Sequence, residues 1–580
     1  MLGGAVCAAA LAQLALTPSA QACGGLFCNS AQPVNQAAER IIFSENGDGT
    51  VTAIIEIQYE GPAASFSWVL PVPGVPDVNV SSTLALDRLQ QATNPTYQLN
   101  TTFADGCAVP QATSAPGGGS FDQAEGDPAA DDVVVLDSGS VGPFDFEVIS
   151  VNVELPDPAD AALMWLEDNG YDVTALAPEV LGPYLADGLN LIAFRLNKDN
   201  DAGSIRPVLL TYDSELPFIP IRPTAVAANP NMGVMVWVVS ASRAIPKNYK
   251  ALELNEALID WFNPNDTYND VVSAAADESG GQGFVTEMAL PDTRLEQTVL
   301  FEWEQQEWSR ISSQTYSSAA DFVLDASSVF GTWDGFDDAL AKTVTLPDGV
   351  SIEDFFNCVR CYSDDPGFSA DQTMLLQELF DMVYKPVLET ENLLMSRGYV
   401  TRLYTTMSAD EMTLDPIFDF NEDLDDVEMV RVAEQVMDCE GGWHVNLPQG
   451  DTVIGEEAGV WPMSLGGDQP AARVIMQLGT SGQGEVLVDN SEVIAGLIGG
   501  GTLDEDGTVT LGDDPGGDGD GDGPGDEDGV DGAAGSPAAS LTGGDGDDGC
   551  GCSAPGGGGG NNAALILFAL GYLAMRRRRG

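Results

Sequence analysis

Apolar and polar positions alternate in short runs from residue 39 onward. Residues 40–43 and 50–59 are β-rich and flank Asn46-Gly-Asp-Gly49, which predicts a hairpin of two strands about a turn. Residues 66–70 predict a further strand of the same sheet, ended by Pro71-Val-Pro-Gly-Val-Pro76. Residues 104–132, dominated by Gly, Ala, Pro and Asp, predict a mobile loop, and strand character returns at 144–155. The period then becomes helical. Ala162, Leu163, Trp165 and Leu166 fall near one face of a helix over 158–169 that stops at Asn169-Gly170, and 178–186 predicts a second short helix. Strands are expected again at 189–197, 205–212, 218–227 and 233–240. The last is almost unbroken in apolar residues, as a strand buried on both faces would be. Residues 252–262 and 293–312 read as helical. Residues 370–397 form the longest helical stretch, with Leu375, Leu379, Met382 and Val383 spaced for one face and Pro386 kinking or dividing it. Extended segments follow over 399–498. The sum is an α+β fold: a β-rich N-terminal region with inserted and following helices, making an ectodomain over 23–500 of one body or two subdomains.

The chain has 580 residues, long enough for sizeable cores. Its 90 acidic residues against 22 basic ones give a formal charge of −68. Residues 501–549 hold 15 acids and no bases, yet the chain up to residue 500 still carries 75 acids against 18 bases. Such a surface repels nucleic acid and anionic lipid, so nucleic acid is not an expected partner. Either a salty or divalent-rich environment screens this self-repulsion, or the charge serves ordinary solubility. Residues 501–549 combine Gly, Asp, Pro and Ala with few large apolar side chains, and burial there cannot offset the ordering entropy. They predict a disordered acidic tether.

The two termini give an address. Residues 1–22 resemble a secretory leader: an apolar stretch over 5–16, then Ala20-Gln21-Ala22 as a small-x-small cleavage signal, with the cut between Ala22 and Cys23. No Lys or Arg precedes the apolar stretch, so either translation starts upstream or the leader is atypical. Cys23 after the cut admits a lipoprotein alternative, but Ala-Gln-Ala is a poor lipobox and plain cleavage is expected. At the other end stand Cys550 and Cys552, a glycine run, an apolar segment over 563–575, and Arg576, Arg577, Arg578 and Arg579. The 13 residues of that segment rise about 20 Å as a helix, short of the ~30 Å hydrocarbon core. The arginines would stay cytoplasmic and leave the ectodomain outside. A permanent minimal transmembrane helix is the alternative to a removable signal.

Between the termini lie Cys23, Cys28, Cys107, Cys358, Cys361 and Cys439, an even set that in an exported chain is expected to form disulfides of unassigned connectivity. Cys358-Val-Arg-Cys361 also has the spacing of a redox or zinc motif. A thioredoxin-like site would need a preceding buried strand, and zinc would need further ligands in a chain whose only histidine is His444. A structural disulfide is therefore expected.

Several blocks resemble one bacterial family, domain of unknown function 2330. They are Cys23-Gly-Gly-Leu-Phe-Cys28, Glu39-Arg-Ile-Ile-Phe43, Tyr59-Glu-Gly-Pro62 and Phe66-Ser-Trp-Val-Leu-Pro-Val-Pro73, then Trp165-Leu166 with Asn169-Gly-Tyr171, Ile205-Arg-Pro207 and Ile219-Pro-Ile-Arg222. Thr401-Arg-Leu-Tyr-Thr-Thr-Met-Ser408, leading into Met412-Thr-Leu-Asp-Pro416, extends the resemblance over roughly 23–445. The family implies no activity and no catalytic residue. The tail over 550–580 resembles the myxobacterial C-terminal sorting domain. That likeness implies a C-terminal-processing intramembrane protease as partner, alongside the secretion machinery, and attachment to the outer-membrane surface through Cys550 or Cys552.

Candidate chemistry is sparse. A Ser-His-Asp triad or Cys-His dyad would have to use His444, five residues after Cys439, and no orienting third group is evident. No phosphate-binding loop is present. Asp518, Asp520 and Asp522 alternate like the first half of a calcium loop, but Gly529 stands where its bidentate Glu belongs. A second acidic cluster runs from Asp419 to Asp426. Calcium is thus the one cofactor for which ligands are offered, and both clusters read first as solvated charge. The expected function is a non-catalytic envelope, adhesion or recognition ectodomain for an extracellular ligand not identified by sequence. The alternative is a surface-displayed, carboxylate-dependent hydrolase acting on polysaccharide. A cleft with two acids about 5–10 Å apart would favour the hydrolase, and a strand-edged apolar patch the former.

Overall fold

Period-2 alternation along the strand Ala228–Ser240 sends Val234, Val236 and Val238 into one hydrophobic core and Met235, Trp237 and Val239 into another. The strand Asn35–Glu45 does the same with Ile41 and Phe43 against Ile42. Both lie inside a ten-stranded mixed sheet. From one edge to the other its strands are Glu485–Asp489, Ala472–Gln477, Lys250–Leu254, Gly283–Pro291, Tyr399–Met407, Ala228–Ser240, Asn35–Glu45, Thr50–Glu60, Val208–Asp213 and Asp77–Val80. In this computed structural model the described residues are 35–60, 67–104, 133–171, 178–196, 205–226, 228–363, 365–437, 442–455, 457–466, 469–498, 501–503 and 509–511. They fall in a unit that ends at Asp513. The predicted loop over 104–132 lies almost wholly outside them.

The hairpin Asn35–Glu45 with Thr50–Glu60 forms as its pattern predicts. The fold is α+β, but several local expectations are corrected. Ser67–Val72 does not continue the main sheet; it is the edge of a second, four-stranded sheet with Asn190–Leu196, Phe144–Val151 and Val133–Val141. The edge position accommodates Pro71, which has no N–H for a second neighbour. Residues 218–227 are not a strand: Pro220 and Pro223 cannot donate to a ladder, and Ile221–Thr224 turns as a short helix. Residues 252–262 are not a helix. Ala251, Leu252 and Leu254 are buried in a strand held on both sides, and Asn255 then caps the 3-10 turn Glu256–Leu258 by accepting from the Ala257 N–H. Tertiary pairing overrides the local helical spacing there. The segment 293–312 is helical only in part, as Asp292–Leu295 and Glu302–Ser313. The extended C-terminal part closes with the helix Ser491–Ile498. A two-stranded pair, Gly501–Leu503 with Val509–Leu511, occupies the first residues read as tether.

The long helical stretch is one rod in three pieces, Gln372–Leu379, a π turn Phe380–Tyr384, and Lys385–Leu394. Pro386 has no N–H for the Met382 carbonyl one turn back. The buried Arg206 supplies the missing donor, with Nη1 2.7 Å from that carbonyl and Nε and Nη2 on the Ser81 carbonyl at 3.1 and 2.9 Å. Gly335 sits against this junction at φ +79°, where an added Cβ would meet Arg206 Nη1 at 2.5 Å, so both conformation and space require glycine. This rod, with the helices Thr83–Thr93, Ala319–Phe330 and Phe336–Thr343, covers one face of the large sheet; the second sheet and the helices Pro158–Asp168 and Pro178–Ala186 cover the other. A third core gathers around Trp261, Trp443 and Trp461. Its small sheet orders Thr452–Gly455, Trp443–Asn446, Val430–Met437 and Thr96–Phe103.

Candidate functional site

Two clefts open where the third core meets the large sheet, and they share Pro95, Tyr97 and Tyr268 as a common wall. The larger encloses about 470 Å³ and the smaller about 260 Å³. Each polar group around them is placed by a separate element. Tyr97 is the second residue of the strand Thr96–Phe103 and lies opposite Arg431 in the parallel neighbour. Tyr268 opens the helix Tyr268–Glu278. Glu256 opens the 3-10 turn after Lys250–Leu254. Arg402 and Tyr404 stand two residues apart on Tyr399–Met407, on one face of the strand.

Glu287 owes its place to an irregularity. In Gly283–Pro291 the register with Tyr399–Met407 shifts between Thr286 and Met288, leaving Glu287 as the extra residue beside Arg402. Such bulges re-aim a side chain. Both charges are 1% exposed, and Arg402 Nε stands 2.6 Å from Glu287 Oε2 as an ion pair rather than an aligned hydrogen bond. Arg402 also donates to Thr93 Oγ1 at 3.0 Å, Asn94 Oδ1 at 2.9 Å and the Gln90 carbonyl at 3.3 Å, and its guanidinium lies 5.5 Å from the Trp237 ring centre. The Tyr268 hydroxyl donates to Glu287 Oε1 at 2.5 Å. Tyr268 and Tyr404 stack with ring centres 6.5 Å apart, and Tyr97 stands edge-on to Trp261 at 4.9 Å. Burial, reinforced by Glu287, pushes the Tyr268 phenol well up and the Tyr404 phenol to about 12. Burial and the Glu256 charge raise Tyr97 as well. All three remain neutral hydroxyls at any physiological pH.

The larger cleft has a different character. Glu256 is 7% exposed; burial pushes its carboxyl up to about 7, opposed by Arg431 and assisted by Glu253. Arg431 Nε lies 3.5 Å from Glu256 Oε1, while Oε2 has no hydrogen-bond partner among the described residues. Arg243, whose Nη1 donates to the Asp425 carbonyl at 2.8 Å, borders the same space. Glu256 and Glu287 line different clefts, so these two acids do not converge on one space.

Of the residues singled out by sequence, Cys358 and Cys361 are joined in a disulfide. Cys358 stands at the junction of the short helices Ile352–Asn357 and Val359–Tyr362 and Cys361 lies within the second, without the buried strand that a thioredoxin-like site requires, and neither cysteine lines either cleft. Ala22, Cys23, Cys28, Cys107, Cys439, Asp518, Asp520, Asp522, Cys550, Cys552, Arg576, Arg577, Arg578 and Arg579 lie outside the described residues. Among the described residues no group of three His, Cys, Asp or Glu side chains is arranged to hold a metal ion, and no helix is long and apolar enough to cross a membrane. In the acidic cluster over 419–426, Asp419 pairs with Lys247 at 2.8 Å, Asp423 accepts from the Gly482 N–H at 2.8 Å, and Asp426 accepts from the Tyr399 hydroxyl at 2.6 Å. These carboxylates serve separate structural contacts. His444 is buried on Trp443–Asn446, which lowers its pKa.

The cleft residues were not singled out by sequence, although a signal was there. Glu287 and Arg402 are lone charges inside runs that otherwise read as buried strand, and such charges need partners.

Residues 17–298 match the model of the family DUF2330, described as an uncharacterized protein conserved in bacteria. The DUF2330 match spans Tyr97, Glu256, Tyr268 and Glu287, while Arg402, Tyr404 and Arg431 lie beyond its end. Each cleft is thus completed by side chains outside the matched region. No curated protein and no solved structure matches the chain.

Proposed function

We propose that this is an exported recognition protein whose ectodomain binds an extracellular ligand in the paired clefts, without catalysing its conversion. One observation carries this: the smaller cleft is open to solvent, yet its floor is a closed network in which Arg402, Glu287, Tyr268 and Asn94 hold one another in place. Groups fixed in this way are preorganised to bind, and none of them is free to exchange a proton with a substrate. The leader over 1–22, the acidic tether and the tail with Cys550, Cys552 and Arg576–Arg579 support display on the outer-membrane surface after a processing protease removes residues 563–579. The exposed edge strand Glu485–Asp489, with Val486, Leu487 and Val488 open to solvent, agrees with an adhesive or recognition role.

A second reading has one observation in its favour. Glu256, protonated near neutrality and beside Glu253, has the properties of a general acid in a polysaccharide hydrolase. A thermal-shift screen of the purified full-length protein against sugars, amino acids, peptides and nucleotides, with product analysis of every hit, separates the two. A ligand that raises Tm and is recovered unchanged is expected. Turnover abolished by Glu256→Gln would replace recognition with hydrolysis, and no hit in any class would overturn the binding site. Mass spectrometry of the mature surface protein tests display. An N-terminus at Cys23 and loss of residues 563–579 are expected, and an intact C-terminal segment contradicts processing.

A further inference from the structure

The smaller cleft selects a class of ligand. Its charges are already spent: each Glu287 oxygen is engaged, one by Arg402 and the other by Tyr268, and the Arg402 guanidinium is shared among Glu287, Thr93, Asn94 and Gln90. No charge is left there to neutralise an ionic ligand, and the chain's formal charge of −68 opposes anions from a distance. What the cleft presents instead is amide and phenol. Asn94, Asn265 and Asn269 stand exposed at its mouth, and Tyr97, Tyr268 and Tyr404 form its walls.

The orientation of these amides follows from chemistry. A guanidinium only donates, so Arg402 fixes the Asn94 oxygen inward and turns its NH₂ away, with no acceptor among the described residues. The Tyr404 hydroxyl donates to Asn269 Oδ1 at 3.3 Å and leaves that NH₂ equally unengaged. Asn265 makes no side-chain hydrogen bond to any described residue, and its amide offers a donor and an acceptor. Two unengaged amide donors and one amide that both donates and accepts, set beside aromatic rings that take C–H surface, match a ligand whose hydroxyls do both and whose ring faces are apolar.

From this geometry we infer that the smaller cleft binds a neutral oligosaccharide segment, seated on Tyr97, Tyr268 and Tyr404 and held by Asn94, Asn265 and Asn269. The inference rests on the binding reading above and names its ligand class. Titration calorimetry of the full-length protein tests it with maltohexaose, cellohexaose, mannohexaose and chitohexaose, and with hexagalacturonate and the fully deacetylated chitosan hexamer as charged controls. At least one neutral hexasaccharide is expected to bind with an affinity that high salt leaves unchanged, hexagalacturonate is not expected to bind, and any chitosan binding, drawn by the net charge of −68, is expected to vanish at high salt, where the comparison is made. Asn265→Ala with Asn269→Ala is expected to weaken binding about tenfold or more at unchanged Tm, because both side chains are exposed. Should that double variant melt early, Asn265→Ala alone gives the same reading. Binding unaffected by these changes, or preference for a charged hexamer, overturns the inference. Absence of sugar binding also overturns it, and a non-sugar hit in the thermal screen would then leave the broader binding reading standing.

Discussion

Two buried arginines on one sheet, both tied to the helix Thr83–Thr93, show how similar chemistry serves different ends. Arg40 meets Glu56, its direct cross-strand partner, at 2.5 Å, and reaches Asp87 at 2.8 Å and Gln90 at 2.7 Å. Arg402 meets Glu287 only because a bulge displaces the glutamate toward it. Arg40 borders neither cleft, whereas Arg402 floors one. The regular register yields a strut; the irregular one yields a strut with a binding surface above it. Charge pairing alone does not mark a site, but a pair that needs a bulge and faces an open cleft does.

The largest effects expected are those of breaking either pair. Glu287→Ala strands the Arg402 guanidinium and is expected to cost about 3–5 kcal/mol in denaturant unfolding, while Glu56→Ala, which leaves Arg40 its pair with Asp87, is expected to cost less. They should differ in ligand binding by the folded fraction. Glu56→Ala leaves the affinity of the thermal-screen ligand unchanged, while Glu287→Ala weakens it. Equal effects on binding would erase the distinction.

A pH effect comes next, from two carboxyls that lack full pairing. Burial raises Glu39 to about 7, and burial raises Glu256 to about 7 against the pull of Arg431. Above pH ~4.5 the unfolded chain releases these protons while the folded protein retains them until near pH 7. Stability is therefore full below the lower value, declines as pH rises toward 7, and is flat beyond. Each group contributes up to about 3 kcal/mol by the usual conversion. Glu39→Gln should remove its share of the slope, measured by urea unfolding from pH 4.5 to 8 at fixed high salt, and leave ligand binding unchanged. Glu256→Gln should flatten the slope and alter the larger cleft. An unchanged slope in both variants contradicts the assignment.

Smaller again is Tyr268→Phe, which removes one hydrogen bond to a charged group and keeps the aromatic wall. A loss of about 1–3 kcal/mol is expected from thermal unfolding.

Much of the architecture was legible because it is local. The hairpin at Asn35–Glu45, the doubly buried strand Ala228–Ser240 and the helices Pro158–Asp168 and Pro178–Ala186 follow from period and turn chemistry. Pro386 was legible as an interruption, but its consequence was not. The carbonyl it orphans is satisfied by Arg206, 176 positions away in sequence. The segment 252–262 was misread because its apolar spacing fits a helix until two neighbouring strands claim it. The site was less legible still. Tyr97, Glu256, Tyr268, Glu287 and Arg402 come from five elements, and only the packing of the small sheet against the large one brings them together.

The central claim is that the ligand sits over the Arg402–Glu287 pair. Hydrogen–deuterium exchange on the full-length protein, with and without the ligand that raises Tm, addresses it directly. Slowed exchange is predicted in Thr96–Phe103 and in the first turn of Tyr268–Glu278, with the helical rod Gln372–Leu394 unchanged. Protection confined to the edge strand Glu485–Asp489, or absent from both cleft walls, would contradict it.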